Sequence, residues 1–127
     1  MSKLILIDDD VIYHKIAQFM IKGYSPVNEV VSSTDGKATL EYLKQNRSND
    51  ENLPDYILVD LNMPGYNGWD FLNGYKKIYS SFHKIIRVFI VSSSINPVDV
   101  KRSKDYTFVS SFIMKPLNRE FLQALSN

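Results

Sequence analysis

A chain of 127 residues with 44% hydrophobic content holds enough apolar material for one sizeable core and too little for two ordinary domains, so a single domain over residues 1–127 is expected. Fifteen basic residues against fourteen acidic ones leave a formal charge of +1, which supplies no bulk electrostatic pull toward nucleic acid or a membrane surface. The lack of cysteine excludes a disulfide framework, a thiolate zinc site and a cysteine nucleophile.

The N-terminus, "MSKLILIDDD", has one lysine and a short apolar run before three aspartates. That is far short of a signal-peptide core or a membrane span, and a soluble, cytoplasmic protein is expected. "KLILI" at 3–7 reads as a strand. The segment after it has helical period, with Ile12, Ile16, Phe19 and Met20 as its inward face, Asp10 as N-cap and Gly23 as stop. "NEVVSS" at 28–33 is a second strand, and "DGKATLEYLKQN" at 35–46 a helix burying Ala38, Leu40, Tyr42 and Leu43. "RSNDENLP" at 47–54 is a surface loop within one domain. "DYILVD" gives a third strand, and "GWDFLNGYKKIYSSF" a helix with Trp69, Leu72, Tyr75 and Ile78 or Tyr79 inward. "IIRVFIVSS" is a fourth strand, and "NPVDVKRSKD" opens a helix with Asn96 as cap and Pro97 at its first position. "SSFIMKP" is a fifth strand and "NREFLQALSN" a last amphipathic helix, directly after which the chain ends, so no output domain is expected.

Strands alternating with helices, several of them apolar throughout, predict an α/β fold: a doubly wound, five-stranded parallel sheet with helices on both faces. Ligands of such sheets sit outside the carboxyl ends of the strands. The residues that follow the apolar runs therefore carry the chemistry. They are Asp8, Asp9 and Asp10 after the first strand, Asp60 after the third, Ser92, Ser93 and Ser94 after the fourth, and Lys115 and Pro116 after the fifth.

Asp8, Asp9 and Asp60 gathered in one crevice repel one another unless a proton or a hard cation intervenes. Mg²⁺ suits this donor set, because it takes oxygen ligands and binds through one or two carboxylates plus phosphate oxygens. A carboxylate is itself a nucleophile that forms an aspartyl-phosphate, and phosphoryl transfer needs little beyond alignment and positive charge on the equatorial oxygens. Lys115 supplies a second cation and Ser92 a hydroxyl. Exposure of Asp60 at the end of a buried strand is then explained by its need to be reached.

In order along the whole chain, "LILIDDD", "DLNMPGYNG", "FIVSSS" and "FIMKPL" resemble the motifs of receiver domains of two-component response regulators, in particular the stand-alone type. The resemblance implies a flavodoxin-like sheet of order 2-1-3-4-5. It implies Asp8 and Asp9 as the acidic pair, Asp60 as the phosphoacceptor, and the backbone carbonyl of Asn62 as a further Mg²⁺ ligand. Ser92 becomes the switch hydroxyl, Lys115 the phosphate-binding lysine, and Lys115–Pro116 a cis peptide. Phe112 stands where relatives often carry an aromatic that moves inward on activation. The implied donor is a histidine kinase or histidine phosphotransfer protein. The implied output passes to a downstream protein through the face of the fourth helix, fifth strand and fifth helix, with no nucleic acid and no membrane.

Two other function classes compete. A degenerate receiver acts as an interaction module without phosphorylation, but its acceptor, acidic pair or lysine is usually lost, and all are present here. A metal-dependent aspartyl-phosphate phosphatase needs a second aspartate two residues after the nucleophile as acid and base; Asn62 occupies that position. The expected protein is a signalling phosphoacceptor that catalyses only its own phosphorylation and dephosphorylation. Other residues have plain structural readings: Asp10 as a cap, His14 and His83 as solvent-facing or structural, Trp69 and Tyr75 as core, Ser93 and Ser94 as loop hydroxyls.

Overall fold

Strands β1 (Lys3–Ile7), β2 (Glu29–Ser33), β3 (Tyr56–Asp60), β4 (Arg87–Ser92) and β5 (Val109–Met114) form one parallel sheet of order β2-β1-β3-β4-β5. The structure, a computed structural model, describes residues 2–125. Between and after the strands run α1 (Val11–Tyr24), α2 (Gly36–Gln45), α3 (Gly68–Lys76), α4 (Pro97–Ser103) and α5 (Arg119–Gln123). Among the described residues no helix is long and apolar enough to cross a membrane.

Successive side chains of a strand point to opposite faces, and the sequence supplies an apolar residue for both. Ile5, Ile7, Ile57, Val59, Val88 and Ile90 pack on one face with Leu40 and Leu43 of α2 and Phe71, Leu72 and Tyr75 of α3. Leu4, Leu6, Leu58, Phe89 and Val91 pack on the other with Ala17 and Ile21 of α1 and Leu122 of α5. Each fully buried aliphatic contributes roughly 1.5–3 kcal/mol relative to exposure. All five β3 residues are buried, because β3 has a strand on either side and helices on both faces. The edge strands β2 and β5 are only half covered.

Asp10 and Asn96 cap α1 and α4 as expected, and Asp35, Asn67 and Asn118 do the same for α2, α3 and α5, each accepting a backbone N–H of the first turn. The inward face of α1 is not. Ile12, Ile16 and Phe19 are 72%, 55% and 79% exposed, while His14, Ala17 and Ile21 face the sheet, with Tyr13 and Met20 half-buried. At 3.6 residues per turn, Ile21 lies half a turn around the helix from Ile12, so α1 is apolar on two sides and docks with the one holding the small Ala17. Gly23 does not stop α1, which runs to Tyr24 and ends at Ser25. In α2 Ala38 is exposed, and Thr39 takes its place inside.

Three further boundaries differ. The helical period at 68–82 breaks after Lys76, and a separate 3-10 turn at Tyr79–Ser81 follows, with Ile78 buried and Tyr79 exposed. β4 begins at Arg87, whose N–H donates to the Asp55 carbonyl at 2.9 Å; Ile85 is left outside the sheet. α5 covers Arg119–Gln123, and the last two residues of the predicted helix, Ser126 and Asn127, lie outside the described residues.

Candidate functional site

Parallel register assembles the site. Ile7 pairs with Val59 and Asp60 with Val91, so the residue after β1, Asp8, emerges beside Asp60, and Ser92 emerges one position further along β4. Ser92 pairs with Met114, which brings Lys115 out on the same edge; its N–H donates to the Ser92 carbonyl at 2.7 Å. The Lys115–Pro116 peptide is cis.

Asp8, Asp9 and Asp60 each present a carboxylate oxygen, and these oxygens lie within 4.8 Å of one another. Asp8 and Asp60 are 1% and 4% exposed, while Asp9 is open to solvent; the exposure expected of Asp60 is not found, because the Asp8 and Lys115 side chains stand against it at the strand end. The Lys115 ammonium donates to Asp8 Oδ2 at 2.6 Å and stands 3.7 Å from Asp60 Oδ1. Three carboxylates against one ammonium leave two negative charges uncompensated when all are ionised. An all-oxygen set with that deficit fits a hard divalent cation such as Mg²⁺.

The same crowding acts on Asp60. Burial, the largest cause, pushes its pKa up from 3.8 to about 6; Lys115 opposes the rise, Asp8 adds to it, a bond from the Asn62 backbone opposes it, and Asp9 adds again. A divalent cation there would reverse that balance and hold Asp60 ionised at neutral pH.

The loop after Asp60 is shaped by two glycines. Gly65 has φ of +78°, a left-handed turn that L side chains rarely adopt. Gly68 opens α3 against the end of β3: its N–H donates to the Leu61 carbonyl at 3.2 Å, and a Cβ on it would sit 2.4 Å from the Asp60 carbonyl oxygen. The Asn67–Asp70 capping box then starts α3 at that point. Asn62 is exposed within this loop, two residues beyond Asp60.

Ser92 is buried, and its Oγ accepts the Ser94 N–H at 3.4 Å, while Ser93 and Ser94 are exposed. Phe112 is half-buried against the cluster that holds α2 and α3. Two further side chains belong to this neighbourhood: Tyr13, which the motifs do not include, and His14, expected to be solvent-facing or structural and found buried. His14 Nε2 lies 2.6 Å from the Asp8 carbonyl oxygen. Tyr13 lies with its ring centroid 4.2 Å from the Lys115 ammonium. The available signal was position, since the first turn of a helix that follows an acidic strand end is held close to that end. The Tyr13 hydroxyl and His14 Nδ1 are buried without a hydrogen-bond partner.

Comparison with known proteins gives a consistent result. The family model for the response regulator receiver domain matches residues 4–127. A two component response regulator from Cytophaga hutchinsonii is 30% identical and superposes with a TM-score of 0.88, over 98% of this chain and 93% of that one. The phosphorylated cyanobacterial phytochrome response regulator RcpA is 31% identical with a TM-score of 0.75, over 98% and 87%. The probable methanogenesis regulatory protein FilR2 of Methanothrix harundinacea is 33% identical over 89 residues, which are 70% of this chain and 56% of that protein. The chain thus spans about half the length of that relative.

Proposed function

The chain belongs to the response regulator receiver domain family of two-component signalling, and from that premise we propose that residues 1–127 act as a phosphoacceptor domain. Asp60 takes a phosphoryl group from a phosphohistidine of a histidine kinase or histidine phosphotransfer protein, in a Mg²⁺-dependent reaction. The observation that carries this reading is the buried Asp60 carboxylate, 3.7 Å from a lysine ammonium and crowded by two further carboxylates. The 31% identical RcpA is described in its phosphorylated form, which supports it.

Asp8, Asp9, Asp60 and the Asn62 carbonyl would hold the Mg²⁺, which when bound supplies positive charge to the carboxylates and the phosphoryl oxygens. An Asp60 oxygen attacks phosphorus, the phosphorus–nitrogen bond breaks, and its electron pair stays on the imidazole nitrogen. Lys115 exchanges its Asp8 contact for a phosphoryl oxygen, and the Ser92 hydroxyl donates to another. Movement of Ser92 opens room for Phe112, and the face formed by α4, β5 and α5 presents the change to a downstream protein. Val11, Ile12, Ile16 and Phe19, all exposed on α1, give the phosphodonor an apolar surface beside the acidic cluster.

Intact-mass measurement after incubation with acetyl phosphate tests the reading. One phosphoryl mass is expected with Mg²⁺ and none in excess chelator. Full labelling in chelator, or no labelling with Mg²⁺, contradicts it.

A further inference from the structure

Lys115 touches more than carboxylates. Four residues form a closed circuit around its ammonium. Asp8 accepts the Asp10 N–H through Oδ1 at 2.9 Å and the Lys115 ammonium through Oδ2 at 2.6 Å. Asp10 in turn accepts the Tyr13 N–H at 3.0 Å, and the Tyr13 ring lies 4.2 Å from the same ammonium. The cap at Asp10 thus fixes both the first turn of α1 and the place of the ring.

We propose that Tyr13 is a positioning residue for Lys115: its ring holds the ammonium over the acidic crevice when a cation claims Asp8, and so keeps the charge within reach of a phosphoryl group on Asp60. This rests on the phosphoacceptor reading. A lysine has a flexible four-carbon stem and a strongly hydrated head, so once its hydrogen bond to Asp8 is lost, water competes for it. An aromatic face attracts the ammonium without carrying a formal charge. A carboxylate in that place would add a fourth anion to Asp8, Asp9 and Asp60 and repel the incoming phosphoryl oxygens. Burial, with Asp8 and Asp60 nearby, pushes the phenol above its usual pKa, so the ring stays neutral.

Two variants separate the ring from the hydroxyl. Tyr13→Leu removes both, and Tyr13→Phe keeps the ring. Beryllofluoride, a phosphoryl mimic, is titrated in saturating Mg²⁺, and Mg²⁺ is titrated alone. In Tyr13→Leu the beryllofluoride affinity and the rate of labelling by acetyl phosphate are expected to fall about tenfold, which corresponds to about 1.4 kcal/mol. Mg²⁺ affinity should hold or rise, since the loosened lysine competes less for Asp8. Tyr13→Phe should restore beryllofluoride binding to within about twofold of wild type, the range expected of a retained cation–π contact. The Lys115 ε-methylene protons should carry an upfield ring-current shift in wild type and Tyr13→Phe, in Mg²⁺ alone and with beryllofluoride, and lose it in Tyr13→Leu.

Wild-type beryllofluoride affinity in Tyr13→Leu overturns the proposal, as does a parallel loss of Mg²⁺ and beryllofluoride affinity, or a Phe variant as impaired as the Leu one. If the wild type itself neither labels nor binds beryllofluoride, the phosphoacceptor reading falls. The ε-methylene shift in Mg²⁺ alone then still decides whether the ring holds the lysine.

Discussion

β3 has a carboxylate at each end, and the fold treats the two in opposite ways. Asp55, just before the strand, accepts the Lys3 N–H at 2.8 Å through Oδ2 and stands 3.1 Å from the Lys84 ammonium through Oδ1, with its side chain 29% exposed. Asp60, at the strand's end, has its nearest ammonium at 3.7 Å and shares a 4.8 Å cluster with two other carboxylates. The first has a backbone donor and a cation matched to its charge and joins the starts of β1 and β3. The second is buried with its charge poorly matched, which is costly unless a ligand compensates. One end of the strand is finished as structure; the other is left open for chemistry.

The largest effect expected at the open end comes from backbone crowding. Gly68→Ala places a methyl 2.4 Å from the Asp60 carbonyl oxygen, a backbone atom that cannot swing aside as a side chain would, and about 3 kcal/mol of stability should be lost in urea unfolding. A loss below about 1 kcal/mol would mean that the loop shifts freely and does not fix Asp60.

Charge at the same end should show next. In the absence of metal the folded state holds the Asp60 proton up to about pH 6, against 3.8 for the ordinary carboxyl. Native protein therefore binds more protons than unfolded protein between these values, and the contribution of Asp60 to stability is full below pH 3.8 and lost as pH rises through about 6. Asp60→Asn removes that dependence. It should stabilise the metal-free protein by about 2 kcal/mol at pH 7 and by almost nothing near pH 4. A destabilised Asp60→Asn protein at pH 7 would contradict the comparison.

The finished end should respond with the opposite sign and a smaller size. Asp55→Asn keeps the shape but weakens the acceptor for Lys3 and the partner for Lys84, and about 1 kcal/mol should be lost at pH 7 in urea unfolding. A gain there would make the two ends alike.

Much of this was legible from the residues. The apolar runs of β1, β3 and β4 and the caps at Asp10 and Asn96 mark the alternation of elements, and parallel register then converts residues that follow separate runs into neighbours. The faces of α1 were not legible, because Ile12, Ile16 and Phe19 satisfy the helical period as well as Ala17 and Ile21 do, and periodicity alone does not choose which apolar side meets the sheet. Tyr13 was missed for a related reason. A half-buried aromatic reads as core packing until its distance to Lys115 is known, and that distance depends on the residue after β5 meeting the first turn of α1 across most of the sequence.

The direct test of the central claim sets the two carboxylates side by side. Wild type, Asp60→Asn and Asp55→Asn are incubated with acetyl phosphate and Mg²⁺, and intact mass is read for each. One phosphoryl mass is predicted on wild type and on Asp55→Asn, and none on Asp60→Asn. Labelling that persists in Asp60→Asn, or that disappears from folded Asp55→Asn, would contradict the account.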